Sequence, residues 1–138
     1  MSWKRGKYFT LAELTKSATA KAKGIDNTPG EAVVSELESL VANILDPLRE
    51  RWGGPIQVTS GYRCPRLNAA VGGAKSSQHM KGQAADITAL PRSRSNNIRL
   101  FELIKSSGLP YDQLIDEKNY SWIHVSYGPR NRRQILHL

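Results

Sequence analysis

The stretch Ser77-Gln78-His79-Met80-Lys81-Gly82-Gln83-Ala84-Ala85-Asp86 decides how the rest of the chain is read. It sets an imidazole and a carboxylate apart by a glycine and small residues that let backbones approach closely. Downstream, Ser121-Trp122-Ile123-His124-Val125-Ser126 embeds a second histidine in an apolar run of β character. Two histidines and one aspartate form a donor set that leaves a position open for water, the pattern of a catalytic rather than a structural zinc site. A metal held in this way polarises a carbonyl and lowers the pKa of its water toward neutrality. On spacing alone, the same residues also fit a surface His79, a turn-capping Asp86 and a core His124 bonded to backbone. His137 has no such context and reads as a tail residue.

Working outward, residues 84–89 and 56–60 read as strands, and residues 61–77, with Gly72-Gly73, as loop. The strongest helical signal runs over residues 31–52, where Val33, Leu37, Leu40, Val41, Ile44, Leu45 and Leu48 recur at helical spacing. Pro47 predicts a kink or restart inside that pattern, and Gly53-Gly54-Pro55 stops it. Thr10, with Glu13 completing a capping box, predicts a first helix through Leu11, Leu14 and Ala18 that ends near Gly24. Residues 24–30 form a loop by their turn residues. Ser93 or Ser95 caps a helix through Ile98, Leu100, Phe101, Leu103 and Ile104 that ends at Gly108. Residues 111–116 and 121–127 read as two further strands, and the basic tail, 129–138, is ambiguous. Helices first and strands later, with helical insertions, predict an α+β fold. Without repeats or a dividing linker, residues 1–138 are expected to form a single domain.

The chain has 138 residues, long enough to bury a core without disulfides, and its lone Cys64 excludes an intramolecular one. No base stands near Cys64 in sequence, so a nucleophilic role is not expected. With 20 Lys plus Arg against 12 Asp plus Glu, the net charge of +8 predicts attraction to polyanions. Arg130-Asn131-Arg132-Arg133 is the natural phosphate-contacting patch. However, the arginines are otherwise scattered and no helix-turn-helix or finger pattern stands out, so no specific nucleic acid is expected as a partner. Residues 1–10 are basic with no apolar run behind them, neither a secretory signal nor a membrane span.

The wording of the motifs takes the reading further. Ser-x-His-x-x-Gly-x-Ala-x-Asp, at residues 77–86, resembles the metal signature of the zinc D-Ala-D-Ala carboxypeptidase and murein peptidase family. Trp122-Ile123-His124 resembles that family's third-ligand segment, and Ser60-Gly61-Tyr62-Arg63 with Leu67-Asn68 is similar to the stretch before its first ligand. The resemblance extends to residues 8–14 and to Asn27-Thr28-Pro29, nearly the full length, and points to a compact branch common in phages and bacteria. It implies a Hedgehog/DD-peptidase-like fold, with N-terminal helices packed on a small, mainly antiparallel sheet that carries a Zn2+ site. It further implies His79, Asp86 and His124 as metal ligands, and Arg63 as a catalytic binder of a substrate carboxylate or carbonyl, a role suited to a guanidinium fork. Ser77 is expected to hydrogen-bond near the site, to a ligand or the substrate.

The general base is where the chain departs from its better-known relatives. Many carry Glu or Asp three residues before the last histidine, and here that position is Ser121, which cannot serve. The segment ending in Asp116-Glu117 resembles the strand of the Hedgehog signalling domain that bears a zinc-site glutamate. The resemblance therefore implies Glu117 as base, with Asp116 as the alternative. On one strand the two face opposite sides, so only one can point at the metal.

The implied function is zinc-dependent hydrolysis of peptide bonds in peptidoglycan stem peptides, as a D-Ala-D-Ala carboxypeptidase or an endolysin-type endopeptidase. The rival reading, kept open by Ser121, is a non-catalytic zinc-containing module for wall binding or morphogenesis. The expected partners are the stem peptide and anionic wall polymers, and the expected state is a monomer. The lack of a signal peptide implies synthesis in a bacterial or phage-host cytoplasm and action on the wall after release.

Overall fold

Local capping decides where the helices begin. A computed structural model describes residues 6–138; the first part of the basic N-terminal stretch, residues 1–5, lies outside the described residues. Helix α1, Leu11–Thr15, starts from Thr10, whose side chain accepts from the Glu13 N–H while the Glu13 carboxylate accepts from the Thr10 N–H. The single helix expected to reach Gly24 is instead two. Lys16 is extended, and the Ser17 hydroxyl accepts from the Ala20 N–H at 3.1 Å, restarting the chain as α2, Ala18–Lys23. A competing serine cap outweighed the periodicity there. Gly24, at φ 64°, ends α2.

Helix α3, Glu31–Leu40, runs through a π-helical turn, Val41–Leu45, into α4, Asp46–Trp52. The wider turn lies directly before Pro47, where the helix both loses an N–H donor and must make room for the ring. The expected restart at Pro47 thus takes the form of a π turn in a continuous rod. Its apolar stripe is fully buried at Leu37, Leu40, Val41, Ile44, Leu45 and Leu48. Each such side chain stabilises the fold by roughly 1.5–3 kcal/mol.

Strand β1, Ile56–Ser60, follows α4. The stretch read as loop contains a helix, α5, Pro65–Ala70, with Cys64 at its N-cap and Pro65 in its first turn, where a proline's missing N–H costs nothing. Strand β2, Ala84–Ala89, leads to α6, Arg94–Ser106, which is capped by Ser93, not Ser95. Strands β3, Gln113–Glu117, and β4, Trp122–Ser126, come next, and the ambiguous tail supplies β5, Gln134–His137. The sheet order is β1-β2-β4-β3-β5, antiparallel except where β5 runs parallel to β3. The α+β class and the mainly antiparallel sheet expected from the sequence are both present.

Strand alternation gives the sheet two chemically different faces. Ala85, Ile87, Leu114, Ile123 and Val125 join the helical stripe in one core cluster. The intervening positions, Asp86, Ile115, Glu117, Trp122 and His124, line an open cleft on the other face. Among the described residues, no helix is long and apolar enough to cross a membrane.

Candidate metal centre and cleft

Asp86 and His124 are brought together by strand register. In the antiparallel pair of β2 and β4 they are direct cross-strand partners, so their side chains rise side by side from the same face. His79 arrives from a short 3-10 turn, Gln78–Lys81, which the Ser77 hydroxyl caps by accepting from the His79 N–H at 3.1 Å. Gly82 closes that turn at φ 73°, and a Cβ there would stand 2.8 Å from the Val33 carbonyl. The close approach inferred for this glycine is therefore a real requirement.

Donor atoms of His79, Asp86 and His124 all lie within 4.8 Å of one another. Asp86 Oδ1 stands 3.3 Å from His79 Nε2 and 3.2 Å from His124 Nδ1. Burial pushes the Asp86 carboxyl up, but hydrogen bonds from His124 and His79 and their charges overcome it and hold the group well below the usual range. His79 Nδ1 lies 2.8 Å from the Gly61 carbonyl, an acceptor only, so Nδ1 carries a proton. In the neutral ring this leaves the Nε2 lone pair facing Asp86. Two imidazole nitrogens and an ionised oxygen at these distances repel one another unless protons or a cation stand between them. The donor set, two imidazoles and one carboxylate beside an open cleft, fits zinc with a free coordination position.

The other candidates distribute themselves unequally. Arg63 lines the cleft, and its Nε is buried without a hydrogen-bond partner. Burial pulls its pKa down, while the charges of Asp86 and Glu117 act the other way. Its backbone is clamped on every side. The Arg63 N–H donates to the His79 carbonyl at 3.1 Å, and the Asn27 amide bridges the Tyr62 carbonyl and the Cys64 N–H. Gly61 beneath it admits no side chain, since a Cβ would fall 2.2 Å from the Leu14 carbonyl.

Glu117 and Asp116 point to opposite sides of β3. Glu117 lines the cleft, where its Oε2 accepts from the Trp122 indole N–H at 3.2 Å. Asp116 is buried away from the cleft and paired with the imidazole of His137, its register partner on β5. His137 is thus no free tail residue: its ring also packs 5.6 Å from that of Phe101. Ser77 reaches the cleft, but its hydroxyl serves the His79 turn.

Sequence reasoning missed a second polar cluster at the rim. Asp112, with a side chain 1% exposed, accepts from the Arg132 backbone and guanidinium N–H groups and from Gln78 Nε2 at 3.0 Å. Arg132 draws the Asp112 pKa down to about 2 against the opposing effect of burial. The arginine run is therefore not a free phosphate-binding patch. Arg132 is tied to Asp112, and Arg133 sits 4.8 Å over the Tyr111 ring. No local signal marks this cluster, since Gln78 and Arg132 stand 34 and 20 residues from Asp112.

No curated protein matches the chain. A family model described as Peptidase M15 matches residues 7–126, which include every residue of the metal cluster as well as Arg63 and Glu117. That match spans most of the sequence, and it covers the strand pair that sets Asp86 beside His124 and the turn that brings His79 to them, so the chain belongs to the M15 family of zinc peptidases.

Proposed function

We propose that the protein hydrolyses peptide bonds in the stem peptides of peptidoglycan, as a zinc-dependent carboxypeptidase or endopeptidase acting as a single-domain monomer. The observation that carries this reading is that one cleft of about 470 Å³ is lined by His79, Asp86 and His124 together with Arg63 and Glu117. His79 Nε2, Asp86 Oδ1 and His124 Nδ1 are the atoms that would hold Zn2+. When bound, the ion supplies Lewis acidity to a carbonyl and to a water.

The chain's own residues do the rest. Arg63, which lines the cleft, offers its guanidinium charge to a substrate carbonyl or carboxylate, fixing the peptide across the cleft. Glu117 takes a proton from the attacking water and returns it to the departing nitrogen, a contribution of about 10²–10⁴-fold. The Trp122 N–H holds one oxygen of Glu117 at 3.2 Å, which fixes the carboxylate in the cleft. Glu117 is favoured over Asp116 because its carboxylate lines the cleft, whereas that of Asp116 is buried against His137. A net charge of +8 suits a wall rich in anionic polymers.

The test is digestion of purified peptidoglycan by the zinc-loaded protein, with chelated protein and Glu117→Gln as controls and mass spectrometry of the fragments. Metal-dependent fragments are expected, released at least about a hundredfold more slowly by Glu117→Gln. Their masses name the bond. Failure of the zinc-loaded protein to cut any of several wall chemotypes would replace this reading with a wall-binding module.

A further inference from the structure

The cleft does not end at its arginine rim. A second hollow, of about 390 Å³, shares Ser76, Gln78 and Arg130 with it and continues past Lys81 and Pro129. Two observations set its chemistry. The first is charge: Lys81 and Arg130 line the hollow, and no acidic side chain among the described residues does. Arg132 is committed to Asp112 at 2.8 Å, but Arg130 approaches that carboxylate only to 3.8 Å, and its side chain is 62% exposed. The Asp112 oxygens are already filled by Arg132 and Gln78, so Arg130 keeps its donors for another anion.

The second is preorganisation. The loop carrying Arg130 is held by the Gly128 N–H donating to the Asn131 side chain and the Arg132 N–H donating to Asp112. Asn131 and Arg133 both adopt positive φ, at 42° and 54°, so the loop has a specific bent shape.

We propose that this hollow is a second substrate subsite, which takes a carboxylate-bearing residue of the peptide beyond the bond that is cut. Arg130 is its charged contact, and Lys81 adds to its positive field. The inference rests on the peptidase reading above. It makes the enzyme selective for stem peptides with a free side carboxylate over those in which that group is a carboxamide.

Two synthetic stem peptides, identical except for carboxylate against carboxamide at that residue, test this by calorimetric binding to the metal-free and zinc-loaded protein and by hydrolysis. The parent is expected to bind the acid about tenfold more tightly than the amide, through a charge-assisted contact that weakens with salt. Arg130→Ala should bring that ratio to about one, and Arg130→Lys should restore part of it. Arg130 is exposed, so neither change disturbs the core. Equal binding of acid and amide by the parent, binding of neither, or an acid preference that survives Arg130→Ala overturns the subsite. An Arg130-dependent preference without hydrolysis would retain the subsite and sink the peptidase reading. Hydrolysis without an acid preference would do the reverse.

Discussion

Asp86 and Asp112 lie beside the same cleft, and both carboxylates are held ionised against burial, yet their partners give them different chemistry. Asp86 faces two imidazoles, groups that can surrender a proton and offer a lone pair. Asp112 faces a guanidinium that stays charged at any pH a protein survives, and both its oxygens are occupied. A cation can replace protons between Asp86 and its histidines, whereas the guanidinium beside Asp112 has no lone pair to offer one. A partly buried carboxylate becomes a metal ligand or a structural anchor according to whether its neighbours can deprotonate.

The largest difference between the two carboxylates should show in Asp86→Asn. It removes the anionic donor while preserving shape, so zinc affinity should fall at least about a hundredfold and peptide hydrolysis should drop to background. Metal content after dialysis, measured beside circular dichroism, separates ligand loss from unfolding. Zinc retention by a folded Asp86→Asn protein would show that the site is held otherwise.

Asp112→Asn should do the opposite, keeping zinc while costing stability. It leaves Arg132, whose side chain is 38% exposed, without its countercharge, so a loss of about 2 kcal/mol is expected in denaturant unfolding. Loss of zinc without loss of stability would mean that Asp112 acts chiefly by holding Gln78 and the metal turn.

The smallest expected effect concerns pH. The Asp112 carboxyl falls from its ordinary 3.8 to about 2 on folding. Its contribution is therefore fully present above about pH 4 and disappears as pH falls through about 2. With solvent screening around Arg132, roughly 1 kcal/mol should be lost over that window. The stability gap between the parent and Asp112→Asn should narrow by that amount between pH 4 and pH 2. A gap that is constant with pH would assign the stabilisation to neutral hydrogen bonds.

The two carboxylates also differ in how much of their surroundings the chain spells out locally. Asp86 stands in a motif that already names His79, the capping Ser77 and the close-packed Gly82. Asp112 carries no such signal, because its partner Arg132 is 20 residues away and comes from a tail without periodicity. Likewise, the cap competition at Ser17 and the proline start of α5 were readable in principle but were outweighed by longer patterns.

The features legible in the chain alone are short-range: the capping box at Thr10, the apolar stripe of residues 31–52, the stop at Gly53, and the alternation that forbids Asp116 and Glu117 from sharing a face. These follow from covalent geometry and from hydrogen bonds within a few residues, so they travel with the chain wherever it folds. Which face looks onto the cleft depends instead on long-range strand pairing. That choice came from β4 lying between β2 and β3, which sets His124 opposite both Asp86 and Ile115. It came also from β5 bringing His137 to Asp116 and from the tail bringing Arg132 to Asp112. Pairing between distant strands is selected by how well whole faces bury against the helices, and that global sum leaves no local trace.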